Sequence, residues 1–257
     1  MDPFKVILQC EVGSRVHGLN VGSDDRDEMG VCIELPEYVI GLKHFEQYTY
    51  RTAEERAKHD PQADQRYKGR TPRSSRGDLD LVIYSLRKYC RLAANGNPSL
   101  LILLFARPII ETSLGNRLQS MADAFASRQA GRRFLGYLRA QRERLLGQRG
   151  QMRITRTELI EKYGYDTKYA MQACRLGVQG LEYMHSGKLT LPVQQPYRDY
   201  LLAIRNGERT LEEVTRWIEE LETDLKYKID NCSLPPMPDM DRINKFLVEA
   251  YQECWAE

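Results

Sequence analysis

A short run of residues near the N-terminus combines a glycine–serine turn with two spaced aspartates. Gly13 and Ser14 follow an apolar segment and precede Asp25 and Asp27, which are separated by one residue. A glycine lets the backbone approach a ligand closely, and successive backbone N–H groups with a serine hydroxyl can hold phosphate oxygens. Arg15 can add a charge-assisted hydrogen bond to a phosphate. The segment therefore predicts a phosphate-binding turn followed by an acidic pair.

The two aspartates have the spacing of a metal site. We expect them at the start of a strand, where residues two apart point to the same face. Neighbouring carboxylates repel each other unless a cation lies between them, and Mg²⁺ prefers carboxylate and phosphate oxygens. Two-metal phosphoryl transfer calls for a third carboxylate, for which Asp80 is the candidate and Asp78 a reserve on the same face. The pattern predicts a site for an NTP with Mg²⁺ or Mn²⁺.

The elements that would position these residues follow from the hydrophobic pattern. Apolar and β-branched runs bounded by glycine or proline predict strands, and a helix is predicted to open after Asn97 and Pro98. The predicted elements are strands at 4–12, 27–35 and 78–86, an ambiguous stretch at 36–50 with a strand hint at Tyr38, Val39 and Ile40, a long polar loop at 51–77 with a frayed helix within it as the alternative, and helices at 86–96 and 97–106.

The composition becomes helical after Pro108. Apolar positions recur with helical spacing, with proline-bearing connectors between them. The periodic segments are 114–147, 154–186, 210–229 and 238–254, and the connectors are 187–200 and 230–238. We therefore expect an α+β protein, with a small mixed-sheet domain at 1–110 and an α-helical bundle domain at 111–257 that completes the cleft for nucleotide and acceptor.

Composition excludes several other classes of protein. The 257 residues are 42% hydrophobic and 29% charged, as in ordinary globular proteins. No run of about 18 apolar residues is present, so no membrane span is expected, and the N-terminal segment lacks the features of a secretory signal. The six cysteines form no CxxC pair, so we expect free thiols and no zinc site. We expect a cytoplasmic protein.

Two local basic tracts lie on a chain with a net charge of only +2. They span residues 51–77 and 139–156, and each contains at least six lysines and arginines. Such tracts favour a polyanionic partner, and a solvated surface is the alternative interpretation.

The ordered set of strand, Gly-Ser turn, acidic pair and later acid resembles the DNA polymerase β superfamily of nucleotidyltransferases. More closely, the chain is similar to the RNA-repair-associated predicted nucleotidyltransferases of bacteria and phages. The similar segments are GSRVHG (13–18), SDDRDEMGV (23–31), DLVIYSLRKYCRLAANGNPSLLILLF (80–105), EKYGYDTKYAMQACRLGVQGLEYMHSGKL (161–189) and SLPPMPD (233–239).

The resemblance implies a polymerase β-like palm and a role for each site residue. Gly13 and Ser14 would hold the β- and γ-phosphates, and Asp25 and Asp27 would bind both metals. Asp80 would complete the first metal site and help to deprotonate the acceptor hydroxyl.

The resemblance also implies a role for the GYDTK segment. Lys162 or Lys168 would contact the triphosphate, Tyr165 would stack on the base, and Asp166 with Lys168 would flank the start of a helix that faces the cleft. The alternative is structural, with Asp166 as the N-cap of a helix and the lysines solvated.

Two positions depart from the pattern of these relatives. Tyr169 stands where the relatives tend to have histidine, and Ile102 stands where they tend to have an acid. Neither change removes an expected metal ligand. His17, in the turn, is expected to pack or to contact phosphate.

The resemblance implies transfer of a nucleoside monophosphate from an NTP to an acceptor hydroxyl, with release of pyrophosphate. The basic tracts and the family favour an RNA end, such as a broken tRNA, as the acceptor. A small molecule or a protein acceptor, as in resistance- or toxin-like enzymes, uses the same chemistry and stays open. A non-catalytic nucleotide- or RNA-binding module is the alternative from another class. The preferred NTP, the number of nucleotides added, template dependence and oligomeric state do not follow from the sequence.

Overall fold

A computed structural model of the chain describes residues 4–22, 25–60, 62–63, 72, 74–148 and 156–256. Among these residues, no helix is long and apolar enough to cross a membrane.

The described strands form one mixed sheet in the order β3-β4-β2-β1-β5. β1 pairs antiparallel with β2 and β5, β3 pairs antiparallel with β4, and β2 and β4 are parallel. Their bounds are β1 Phe4–Glu11, β2 Arg26–Glu34, β3 Gln47–Arg51, β4 Leu79–Ser85 and β5 Pro108–Glu111. The mixed sheet and the many helices confirm the predicted α+β class.

Several helices begin at a residue whose side chain caps free backbone N–H groups. Asn97 accepts from the Ser99 N–H at 3.0 Å, and Thr210 forms a capping box with Glu213. The helices are α1 Gly13–Val16, α2 Pro36–Val39, α3 Thr52–Lys58, α4 Leu86–Ala94, α5 Pro98–Leu101, α6 Ser113–Ser120, α7 Arg128–Leu145, α8 Thr157–Tyr163, α9 Thr167–Ser186, α10 Tyr197–Arg205, α11 Leu211–Asn231 and α12 Met240–Ala256. Short 3₁₀ turns span Ile102–Leu104 and Ala122–Phe125.

The chain divides into two compact units made of interleaved segments. The first unit contains the sheet and consists of 1–91, 106–120 and 241–257, and the second consists of 92–105 and 121–240. The expected division into domains at 1–110 and 111–257 stays a prediction.

Within the sheet unit, helix α12 is anchored to the end of β2 by the buried Glu34. Tyr251 donates its hydroxyl to Glu34 Oε2 at 2.8 Å, and the Trp255 indole donates to the Glu34 carbonyl at 2.9 Å. The Tyr251 oxygen also accepts from the Arg87 N–H at 3.2 Å. Glu34 is buried, and this burial raises the pKa of its carboxyl group. The end of β2, the start of α4 and α12 thus share one polar network.

The second unit is built on the packing of α7, α9 and α11. A Cβ added at Gly177 in α9 would lie only 2.8 Å from the Leu221 Cβ in α11, so glycine permits the close approach of these helices. Across α7 and α11, Arg139 Nε lies 2.7 Å from Glu222 Oε1, and Arg142 Nη2 lies 2.8 Å from Glu219 Oε1.

Four details differ from the sequence-based elements. The strand hint at Tyr38–Ile40 is wrong, because Pro36 occupies the first turn of a helix and the strand comes later, at Gln47–Arg51. β5 was not expected, and its Ile109 and Ile110 are exposed on an edge strand that pairs with β1. Helix α10 begins inside the expected connector 187–200, and the expected helix 97–106 divides into α5 and a 3₁₀ turn.

Candidate active site

The Gly-Ser turn lies directly against Asp27. The Val12 N–H donates to the Asp27 carbonyl at 2.8 Å, which joins the end of β1 to the start of β2. Gly13 has a φ of +68°, and a Cβ added there would lie 2.8 Å from Asp27 Cγ and 2.9 Å from Asp27 Cβ. Both the backbone conformation and the lack of space therefore require glycine. The expected phosphate turn and one expected metal ligand are immediate neighbours.

Ser14 and Arg15 occupy the single turn of α1. The Ser14 hydroxyl is half-buried and has no hydrogen-bond partner among the described residues. The Ser14 backbone carbonyl accepts from the Leu19 N–H at 2.9 Å, which closes the turn. Arg15 is exposed, and its Nε lies 3.0 Å from Glu11 Oε1. Exposed ion pairs contribute little to stability, so Arg15 can leave this partner for a phosphate at small cost.

Asp27 and Asp80 lie at the same end of two neighbouring strands. In the parallel pairing of β2 with β4, Asp27 and Asp80 are direct partners. Partners on neighbouring strands point to the same face of the sheet, and Asp25 lies in the chain just before β2 begins at Arg26. The Arg26 N–H also donates to the Asp78 carbonyl at 2.8 Å. The strand pairing is the one that a site built from Asp25, Asp27 and Asp80 requires, and the metal role of these residues stays a prediction.

Both carboxylate oxygens of Asp80 accept hydrogen bonds. The Ser74 hydroxyl lies 2.8 Å from Oδ1 and 2.9 Å from Oδ2, and Arg51 Nη2 lies 3.2 Å from Oδ2. Among the described residues, no three His, Cys, Asp or Glu side chains are gathered closely enough to hold a metal ion. The donor chemistry and the backbone register fit Mg²⁺, and the Asp80 side chain is directed to Arg51 and Ser74.

Asp78, the reserve carboxylate, anchors the turn before β4. It is buried, and it accepts from the Ser75 N–H at 2.7 Å, from the Ser75 hydroxyl at 3.0 Å and from Arg56. The Ser75 N–H, followed by the Ser75 hydroxyl and Arg56, lowers the pKa of this carboxyl group. Asp78 therefore holds the start of β4 in place beside Asp80.

In the second unit, Asp166 is the N-cap of α9. Its Oδ1 accepts from the backbone N–H groups of Lys168 at 3.0 Å and Tyr169 at 3.1 Å. Its Oδ2 accepts from Arg156 Nη1 at 3.0 Å. The helix-cap alternative is therefore confirmed for Asp166, and a role in nucleotide binding stays a prediction.

The other expected nucleotide-binding residues of this segment differ in exposure. Tyr165 is buried and donates its hydroxyl to the Arg209 carbonyl at 2.8 Å, and burial raises the pKa of its hydroxyl to about 12. Lys162 and Lys168 are exposed, and the Lys162 ammonium lies 4.8 Å from the centre of the Tyr163 ring. Their contacts with a nucleotide stay predictions.

A family model for the RNA repair pathway DNA polymerase beta family, RlaP, matches residues 1–249. The chain belongs to this family. It is accordingly a nucleotidyltransferase, and membership in the RlaP family implies an NTP as the donor substrate.

Comparison with solved structures gives distant similarities. Spectinomycin adenyltransferase AAD(9) from Enterococcus faecialis, solved with ATP and spectinomycin, is 16% identical with a TM-score of 0.38, and the match covers 86% of this chain and 92% of that one. A nucleotidyltransferase-like protein from Exiguobacterium sibiricum is 10% identical with a TM-score of 0.29, covering 97% of this chain and 74% of that one. No curated protein matches the chain.

Tyr169 and Ile102, which differ from the residues expected in relatives, both have defined contacts or burial in this RlaP-family chain. The Tyr169 ring lies 5.0 Å from the Arg156 guanidinium, the same arginine that pairs with Asp166. Ile102 is buried in the 3₁₀ turn after α5, where it packs as a core residue. His17 is also buried, as its packing alternative required.

Much of the positive charge in the two basic tracts of this RlaP-family chain is paired with acids. In the second tract, Arg139, Arg142 and Arg156 all form ion pairs, and in the first tract so do Arg51, Arg56 and Lys58. The tract members Arg66, Lys68, Arg70, Arg73, Arg149 and Arg153 lie outside the described residues.

The sequence pattern does not indicate that Arg51 and Ser74 bind Asp80. In the sequence Arg51 belongs to a basic tract, yet in the structure it is the direct antiparallel partner of Asp80 across β3 and β4. The alternation of QYTYR in residues 47–51 was the available signal for a strand beside β4.

Proposed function

We propose that this nucleotidyltransferase moves a nucleoside monophosphate from an NTP to a hydroxyl of an RNA end, such as a broken tRNA. The observation that carries the proposal is the register of Asp27 with Asp80 beside the Gly13–Ser14 turn. This register would bring a phosphate-binding turn and three carboxylates to one edge of the sheet, as nucleotidyl transfer requires.

The proposed binding roles follow from this placement. The N–H groups of the turn and the Ser14 hydroxyl hold the β- and γ-phosphates of the donor, and Arg15 adds a cation. Asp25, Asp27 and Asp80 are the residues that would hold Mg²⁺ or Mn²⁺. When bound, such ions neutralise the charge that develops on the phosphate oxygens and on the leaving pyrophosphate.

The transfer step itself is a displacement at the α-phosphorus. The acceptor hydroxyl oxygen forms a bond to the α-phosphorus, and the bond from this phosphorus to the oxygen that bridges to the β-phosphate breaks. Pyrophosphate leaves with the bonding electron pair. The hydroxyl proton passes to the Asp80 carboxylate, which acts as the general base once its oxygens are released from their present donors.

An RNA acceptor is supported by the description of the family and by the basic residues of 51–77. The basic residues of the second tract, 139–156, support it as well. Ion pairs occupy part of each tract, Arg139 and Arg142 in the second and Arg51 and Arg56 in the first. Both tracts therefore stay candidates for contacts with phosphates of the acceptor.

A transfer assay tests the proposal. The purified chain is incubated with magnesium, each of four α-labelled NTPs, and total cellular RNA or no RNA, with Asp25→Asn as the control. We expect label on RNA with the wild-type chain and none with the variant. Label on the protein or on a small molecule would instead establish another acceptor class, and transfer that persists in Asp25→Asn would contradict the assigned site.

The contribution of the first tract is tested by salt dependence. Replacing Arg70, Arg73 and Arg76 with glutamine is expected to weaken RNA binding and to reduce the slope of log K against log salt by about 0.7–0.9 for each lost phosphate contact. Fluorescence anisotropy with labelled RNA at several salt concentrations measures the slope. An unchanged slope would show that these residues do not contact the acceptor.

A further inference from the structure

The Asp80 carboxylate accepts hydrogen bonds that would have to break before it could bind a metal ion. Arg51 is its direct partner across β3 and β4, and Arg51 Nη2 donates to Asp80 Oδ2 and to Ser74 Oγ, both at 3.2 Å. Ser74 in turn donates to the Asp80 carboxylate. The side chains of Arg51 and Asp80 are 24% and 27% exposed, so water screens their attraction only partly.

A guanidinium and a divalent cation compete for the same carboxylate. Both bind through the carboxylate oxygens, and the two cations repel each other at close range. When one occupies Asp80, binding of the other is weakened. The same ion pair also keeps the Asp80 side chain in one orientation while no metal is bound.

Arg51 has a second carboxylate within reach. Its Nη1 lies 2.9 Å from Glu54 Oε1, in the first turn of α3. Arg51 therefore bridges Glu54 and Asp80 with different nitrogens. If Nη2 leaves Asp80, the bond to Glu54 keeps the guanidinium paired and close to the strand.

We propose that Arg51 is a positioning residue that competes with the divalent metal for Asp80, and that Glu54 retains Arg51 when the metal binds. The proposal rests on the proposed function, because there Asp80 is a metal ligand. Arg51 and Ser74 hold the Asp80 carboxylate, and a bound divalent metal would take the place of their hydrogen bonds.

Binding of Mn²⁺ to the full chain, without nucleotide, tests the competition. Electron paramagnetic resonance measures the free Mn²⁺ in each titration. We expect Arg51→Gln and Ser74→Ala to bind Mn²⁺ about twofold to fivefold more tightly than the wild-type chain, the range of a partly exposed ion pair. We expect Glu54→Gln to bind Mn²⁺ about twofold more weakly, because among the residues that the structure describes Arg51 then keeps Asp80 alone as its carboxylate partner.

Lys58→Gln is the matched control for charge. It removes the same single positive charge from helix α3, but Lys58 pairs with Glu55 and not with Asp80. Its Mn²⁺ affinity is expected to stay within about 1.5-fold of wild type, because a charge at longer range is screened. In an Asp80→Asn background, Arg51→Gln is expected to have no effect. Circular dichroism confirms that each variant is folded.

The outcomes separate this inference from the proposed function. If Asp25→Asn loses Mn²⁺ binding but Arg51→Gln and Ser74→Ala bind as the wild type does, the role of Arg51 is refuted and the proposed metal site stands. If Lys58→Gln tightens binding as much as Arg51→Gln, net charge explains the effect and the competition is refuted. If none of these chains binds Mn²⁺, the metal site of the proposed function fails, and the inference with it.

Discussion

Replacing Gly13 with alanine tests the central contact of the site, where the turn lies against Asp27. Gly13 has a φ of +68°, and Gly22 has a nearly equal φ of +70°. A Cβ at Gly13 would lie 2.8 Å from Asp27 Cγ, whereas a Cβ at Gly22 would have no atom of the described part of the chain within 4 Å. Gly22→Ala is therefore the matched control, because it introduces the same backbone strain without the collision.

The expected losses of stability follow from the backbone strain and from the collision with Asp27. Backbone strain is expected to destabilise both variants by about 1 kcal/mol. The collision is expected to add about 1–3 kcal/mol to Gly13→Ala alone, which corresponds to a melting temperature about 2–10 °C below that of Gly22→Ala. A displacement of Asp27 by about 1 Å is expected to lower transfer on the order of 100-fold, while Gly22→Ala stays within about threefold of wild type.

The two variants are compared by thermal melting and by the labelled-NTP transfer assay. Wild-type transfer by Gly13→Ala would refute the requirement for close approach of the turn to Asp27. Equal losses of transfer in Gly13→Ala and Gly22→Ala would attribute the effect to flexibility of the whole turn.

Four further substitutions test three separate features. Asp25→Asn or Asp27→Asn is expected to abolish transfer and to change the free energy of unfolding by less than about 1 kcal/mol, because it removes a repelling charge; full activity in either variant would contradict the metal assignment. Asp166→Ala is expected to lower the free energy of unfolding in urea by about 1–3 kcal/mol, because two capped N–H groups and an arginine lose their acceptor; an unchanged midpoint would contradict this role. Glu34→Gln is expected to reduce the pH dependence of the free energy of unfolding. Burial raises the pKa of Glu34 above its ordinary value of 4.5, so the wild-type chain loses stability as pH rises from that value through the folded-state pKa. Melting curves between about pH 4 and pH 8 should show this loss in the wild type and a smaller one in the variant.

The strands that carry the site could be predicted because their pattern is local. β1, β2 and β4 are apolar or alternating runs with turn residues beside them, and their bounds differ from the expected ones by one residue at each end at most. The side-by-side placement of the Asp27 and Asp80 strands followed from the need to bring both acids to one edge. The helix start at Asp166 carries an ordinary capping residue.

The parts that could not be predicted depend on contacts distant in sequence. Arg51 and Asp80 are 29 residues apart and meet only because β3 pairs with β4. β5 has four residues, begins with proline and is exposed, so its identity as a strand depends on pairing with β1. The direction of the Asp80 side chain likewise follows from Arg51 and Ser74 rather than from the DxD-type spacing.

The anchoring of α12 by Glu34 has a consequence for the order of folding during synthesis. Glu34 emerges from the ribosome early, but Tyr251 and Trp255, which bind it, are synthesised more than 200 residues later. At about 5–20 residues per second, that interval lasts on the order of 10–40 s. During this time Glu34 and the end of β2 lack their contacts with α12. The helical unit can therefore assemble first, and the part of the chain that is translated first is completed last.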